Sequence, residues 1–117
     1  MIRYLKKERI LMKISELFDV SGKVAIVTGG SRGIGEMIAA GFLANGVKVY
    51  ITARKEVALI EKAKELSDKY ECECIPVPCD LSAMEGITNF VDFIESNEKH
   101  IDFFINNAGA SWGEPYA

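Results

Sequence analysis

Long hydrophobic runs are missing from this sequence. No stretch approaches the roughly 20 consecutive apolar residues that a membrane span needs, although 49% of the 117 residues are hydrophobic. A secretory leader is missing as well. Arg3, Lys6, Lys7 and Arg9 stand near the start, but Lys13, Glu16 and Asp19 interrupt the apolar segment that should follow. Excess positive charge is also lacking: 14 Lys and Arg against 17 Asp and Glu leave a net charge of −3. That balance gives no sign of a nucleic-acid partner, which usually shows as a basic patch or a high pI. Histidine occurs once, at His100, and cysteine three times. An odd set crowded at Cys72, Cys74 and Cys79 is not a secreted disulfide framework, and it lacks the paired spacing of a zinc site. The expectation is reduced strand cysteines, no metal, no membrane and a cytoplasmic location.

What is present is regular alternation. Met12 opens a stretch that reads as a natural start, so residues 1–20 read as an N-terminal extension and 21–117 as one small domain. Val24 to Thr28 is a nearly continuous apolar run of the kind buried on both faces of a parallel sheet. Ile34, Ile38 and Phe42, flanked by Met37 and Leu43, then give a helical stripe that ends at Asn45-Gly46. Val47 to Thr52 is a second β-branched run. Val57, Ile60, Ala63, Leu66 and Tyr70 mark a second helix on a charged segment. Cys74 to Val77 is a third strand, and Pro76 within it favours an edge position. Ser82 and Glu85 have the spacing of a capping box before a third helix faced by Ile87, Phe90, Val91 and Ile94. Ile101 to Asn106 is a fourth strand. Phe90, Phe93, Phe103 and Phe104 suit helix-on-sheet packing, and His100 suits the surface. The order β-α-β-α-β-α-β implies an α/β doubly wound parallel sheet with right-handed crossovers, and places any ligand beyond the carboxyl ends of the strands.

The unusual residues fall at those ends. After the first strand comes Thr28-Gly29-Gly30-Ser31-Arg32-Gly33-Ile34-Gly35. Glycines let a backbone turn tightly and approach a bulky anion, and the amides at the start of the next helix can hold a pyrophosphate. A phosphate-loop NTPase is excluded because no Gly-Lys-[Ser/Thr] follows. The spacing is Gly-x3-Gly-x-Gly, and Asn106-Asn107-Ala108-Gly109 follows the fourth strand. This pair of motifs, in this order and on these elements, resembles the classical short-chain dehydrogenase/reductase family over the chain from about Lys13 onward. The resemblance implies a Rossmann-like fold in which Gly29, Gly30, Ser31, Arg32, Gly33, Ile34 and Gly35 line the pyrophosphate and ribose side of a dinucleotide.

The second strand selects the cofactor. NAD-binding folds place an acidic side chain there for the ribose 2′-hydroxyl, whereas this chain has Thr52-Ala53-Arg54-Lys55. A guanidinium suits a 2′-phosphate through charge-assisted, often bidentate bonds, so Arg54, with Arg32 in the neighbouring loop, points to NADP(H). By resemblance, Asp80 accepts from the adenine amine and Leu81 covers the ring. Asn107, Ala108 and Gly109 run beneath the cofactor ribose. A substrate-side loop and a packing anchor remain open alternatives for Ser111-Trp112-Gly113.

The family's reaction is hydride transfer between nicotinamide and a carbonyl or alcohol. Its tyrosine, lysine, serine and supporting asparagine lie beyond the fourth strand in the family. Tyr116 is the only tyrosine after Asn107 and no lysine follows it. No catalytic residue is therefore assigned, and the expectation is a cofactor-binding half, truncated after the fourth strand, that is inactive and marginally stable alone. Asp80-Leu-Ser-Ala-Met-Glu-Gly and Ala110-Ser-Trp-Gly are similar to the 3-oxoacyl-carrier-protein reductase group, especially its rhamnolipid-biosynthesis branch. That likeness implies a small-molecule or acyl-carrier carbonyl substrate and a homo-dimer or homo-tetramer. A sugar or polyol dehydrogenase is the alternative substrate class. A non-catalytic nucleotide-binding module, or the product of a decayed gene, is the alternative function.

Overall fold

The computed structural model describes residues 19–107. Most of the expected N-terminal extension, together with Ala108, Gly109, Trp112 and Tyr116, lies outside the described residues. The described residues form four strands: β1 (Val24–Thr28), β2 (Lys48–Ala53), β3 (Cys74–Pro78) and β4 (Phe103–Ile105). Three helices connect them: α1 (Gly33–Ala44), α2 (Glu56–Tyr70) and α3 (Met84–Asn97). All strand pairs are parallel, in the order β3-β2-β1-β4, with Thr28 opposite Thr52 and Val27 opposite Ile105. Pro76 lies on the edge strand, as its missing N–H requires.

Side chains alternate across the sheet and divide the core in two. Ala25, Val27, Val49 and Ile51 face α1 and α2, where Ala39, Leu43, Leu59, Ala63 and Leu66 meet them. Ile26 and Tyr50 face α3, where Phe90 and Ile94 cover them. The sheet is thus packed on both faces, which explains why its strands read as unbroken apolar runs.

The helices are phased differently from their hydrophobic stripes. In α1 the buried residues are Gly35, Ala39 and Leu43, whereas Ile34 and Met37 are exposed and Ile38 and Phe42 are half-buried. In α2, Leu59 is buried in place of Val57 and Ile60. In α3, Phe90 and Ile94 are buried while Ile87 and Val91 remain exposed. Of the four phenylalanines, Phe90 packs inward and Phe103 stacks on Phe42 at 5.2 Å, but Phe93 and Phe104 are exposed. Ser82 does not cap α3: the N-cap is Ala83, without a side-chain bond. Ser82 instead donates its N–H (2.9 Å) and hydroxyl (2.6 Å) to Oδ1 of Asp80. Ser82 stands one residue before the N-cap, and its hydroxyl is turned to the nearby carboxylate.

At the end of the sheet opposite the glycine loop, Tyr50 ties α3 to β2. Its hydroxyl donates to Glu98 at 2.5 Å, and the Lys48 ammonium lies 2.6 Å from the same oxygen. Burial, then the bond to Glu98, pushes the Tyr50 phenol up to about 12. Lys48 and Tyr50 hold the Glu98 carboxyl below its usual range. His100 is exposed, 3.7 Å from Asp102, which also accepts the N–H of Val24. Cys72, Cys74 and Cys79 are free thiols. Among the described residues no helix is long and apolar enough to cross a membrane.

Candidate functional site

The order β3-β2-β1-β4 reverses direction between β1 and β4, so the crossovers on the two sides run in opposite directions and a cleft opens at the carboxyl ends. It encloses about 1690 Å³ and runs from the loop after β1, past the end of β2, to the α3 face. Thr28, Thr52 and Asn106 form its floor, and the ends of three strands therefore meet there.

The glycine loop is shaped by backbone geometry. Gly29 and Gly33 have φ of 67° and 61°, a region that costs any residue with a Cβ. Arg32 is the N-cap of α1 and makes no side-chain cap bond, so the helix presents its first turn of amides without a capping side chain. Gly35 is buried where a Cβ would overlap the carbonyl oxygen of Gly29 and lie 2.6 Å from Nδ2 of Asn107. Gly30 points the other way. Its Cβ would lie 2.9 Å from the Cβ of Ile51, so it seats the loop on β2 and forms no part of the cleft wall. Gly29, Ser31, Arg32, Gly33 and Ile34 do line the cleft.

Thr28 joins the loop to the asparagine motif. Its buried Oγ1 accepts the N–H of Asn107 at 2.7 Å, and Oδ1 of Asn106 lies 3.1 Å away. Nδ2 of Asn107 reaches the Gly29 carbonyl at 3.5 Å. In the sequence, the signal for this role of Thr28 is a hydroxyl at a strand end directly before a glycine turn.

Charge in the cleft is uneven. Arg32, Arg54, Lys55 and Lys62 line it, against Glu61 and Glu65. Lys62 is engaged by Glu65 at 2.8 Å and by Glu36 at 3.4 Å. Arg32 and Arg54 make no ion pair with a described residue. Lys62, Glu61 and Glu65 had not been singled out from the sequence; they lie on α2 turns whose cleft-facing side only the helix phase reveals.

Leu81 and Asn107 line the cleft, while Asp80 stands exposed at its rim between Cys79 and Leu81. The two bonds from Ser82, and more weakly the Arg54 charge, hold the Asp80 carboxyl below its ordinary range. Burial, and the neighbouring Asp80 charge, push the Cys79 thiol up. Among the described residues no three His, Cys, Asp or Glu side chains are grouped to hold a metal ion. The cleft therefore brings together a glycine-rich loop, two guanidinium groups and the apolar Leu81, with an ionised carboxylate beside it.

Comparison with known proteins places this geometry among relatives. A family model described as short chain dehydrogenase matches residues 23–117. A rhamnolipids biosynthesis 3-oxoacyl-[acyl-carrier-protein] reductase of Pseudomonas aeruginosa is 43% identical over 96 residues, covering 82% of this chain and 37% of that protein. Among solved structures, a Pseudomonas aeruginosa RhlG/NADP active-site complex superposes with a TM-score of 0.72 at 40% identity, over 77% of this chain and 36% of the other. The L-sorbose reductase of Gluconobacter frateurii, complexed with NADPH and L-sorbose, gives 0.76 at 36% identity, over 83% of this chain and 37% of the other. The chain spans about a third of the length of the curated relatives it matches.

Proposed function

Because the chain belongs to the short chain dehydrogenase family, we propose that its cleft binds NADP(H) and serves an oxidoreductase that reduces a carbonyl of the 3-oxoacyl class. One observation carries the cofactor choice: the cleft wall after β2 holds Arg54 and Lys55 where an NAD site needs a carboxylate. Relatives at 40% and 36% identity are complexes with NADP and NADPH, which supports the same reading.

The residues present fit the group chemically. Amides of the loop residues that line the cleft, from Gly29 and from Ser31 to Ile34, would receive the pyrophosphate. Arg54, with Arg32 beside the loop, holds the 2′-phosphate through charge-assisted hydrogen bonds. Leu81 covers the adenine and Asp80 accepts from its amine. Asn107, at the mouth of the cleft, would contact the ribose. Bound there, the nicotinamide supplies hydride to a carbonyl or takes it from an alcohol. What these residues contribute is binding and orientation, and none is assigned a proton-transfer role.

Substrate class follows the reductase of Pseudomonas aeruginosa, and the likeness to L-sorbose reductase favours a ketose or polyol as the second reading. Titration with NADPH and NADH tests the cofactor. NADPH is expected to bind at least tenfold more tightly, and Arg54→Ala to remove most of that preference, since a charge-assisted contact is worth about 1.5–3 kcal/mol. Preference for NADH, or an Arg54→Ala protein that keeps full NADPH affinity, overturns the assignment. Assay with a 3-oxoacyl thioester and with a ketose, on a protein in which this half is joined to the residues that supply the proton, separates the two substrate classes.

A further inference from the structure

Gly86 interrupts the first turn of α3, where alanine would be the better helix former. The contacts around it supply a reason. A Cβ on Gly86 would overlap the carbonyl oxygen of Asp80, and would lie 2.8 Å from its carbonyl carbon and 3.2 Å from its nitrogen. All three are backbone atoms, which cannot swing aside as a side chain does. The helix therefore lies directly against Asp80 only because position 86 has no side chain.

Other contacts grip the same residue. Ala83 donates its N–H to the Asp80 carbonyl at 3.3 Å, and Ser82 closes on Oδ1 with both its N–H and its hydroxyl. An exposed side chain on a loop would ordinarily sample several rotamers. Here the backbone is held from behind by α3, and one carboxylate oxygen is held from the front by Ser82. The neighbours Cys79, Leu81 and Ser82 all line the cleft, so Asp80 stands beside it.

We propose that Gly86 and Ser82 are positioning residues for base recognition, holding Asp80 so that its second oxygen accepts the exocyclic amine of adenine. This rests on the reading of the cleft as an NADP(H) site and adds the source of its discrimination between bases. Gly86 acts by permitting close approach and Ser82 by fixing the carboxylate's rotation.

The test compares NADPH with its deamino analogue, in which a ring carbonyl replaces the amine. Affinities for both, and for NADH, are measured by fluorescence titration in the wild type, Gly86→Ala, Ser82→Ala and Asp80→Asn. The wild type is expected to favour NADPH over the analogue by about tenfold or more, the scale of one hydrogen bond to a charged group. Gly86→Ala and Asp80→Asn should bring that ratio towards one, and Ser82→Ala should lower it by a smaller factor. The NADPH-to-NADH preference should be kept in Gly86→Ala and Ser82→Ala, which leave the charges around the 2′-phosphate site unchanged. An unchanged ratio in Gly86→Ala makes that glycine a packing residue only and overturns the proposal. If Gly86→Ala does not fold, Ser82→Ala adds no atoms and decides the matter, an unchanged ratio again being fatal. A wild type that binds NADPH without distinguishing the analogue sinks this inference and leaves the cofactor reading standing. Failure to bind either nucleotide sinks both.

Discussion

Replacing Gly35 by alanine adds one carbon where the Gly29 carbonyl and the Asn107 amide already meet. Neither neighbour is the loose end of a long side chain, so the loop or the helix must shift. Overpacking of this kind costs on the order of 1–3 kcal/mol, and a denaturant titration of Gly35→Ala should show a loss in that range. Gly41 lies two turns further along α1 with nothing within 4 Å of a Cβ. Gly41→Ala should therefore gain about 0.5–1 kcal/mol from helix propensity and reduced unfolded-state freedom. Two glycines on one helix thus respond with opposite signs. Equal responses would show that α1 does not lie against the loop as described. The sequence marks both simply as glycine. Only the approach of a backbone from another part of the chain tells them apart.

At the scale of elements, strand positions, their parallel direction and the edge placement of β3 were legible, because buried β-branched runs and Pro76 leave few alternatives. Helix phase was less so. A helix laid on a sheet needs its smallest residues at the line of closest approach and its larger ones to either side. In α1 that line is Gly35, Ala39 and Leu43, so a stripe drawn through Ile34, Ile38 and Phe42 is rotated by one position. In α2 the same effect promotes Leu59 over Val57. Thermal or urea melts can check this. Leu59→Ala should cost about 2–5 kcal/mol as a fully buried truncation, and Val57→Ala should stay within about 0.5 kcal/mol. The site was legible in part for a related reason. The motif glycines and Arg54 announce themselves by type, whereas Thr28 and Gly86 matter through partners 79 and 6 residues away.

The join between α3 and β2 carries a pH signature. Glu98 has its carboxyl lowered in the fold, so its contribution is present above the unfolded value near 4.5 and is lost as pH falls through the folded one. Tyr50 is raised to about 12, so its contribution is present below about 10 and is lost as pH climbs through 12. Glu98→Gln should flatten the acid limb of a stability-versus-pH curve and remove about 1–2 kcal/mol at neutral pH. Tyr50→Phe should flatten the alkaline limb. An acid limb as steep in Glu98→Gln as in the wild type would remove Glu98 from the account.

For the molecule as a whole, the order β3-β2-β1-β4 brings the first strand to the centre and the last beside it, with every crossover made in between. Many of the contacts are therefore distant in sequence, and formation of such a sheet is slow because loop closure precedes the contacts that reward it. NADPH, if it binds the cleft, should slow unfolding in stopped-flow experiments and leave the refolding rate nearly unchanged. Acceleration of refolding would mean that a binding surface exists before the sheet is complete.

The bond from Asn107 to Thr28 gives that expectation its mechanical basis. A single hydroxyl, one residue before the glycine turn, accepts an amide that the chain delivers 79 residues later. Until that arrival the turn lacks this brace and keeps the bond from the Gly29 N–H to the Thr52 carbonyl, and a nucleotide meets only part of a socket. The ligand can then act as a bolt slid home after the door is hung, lengthening the lifetime of the finished fold without guiding its assembly.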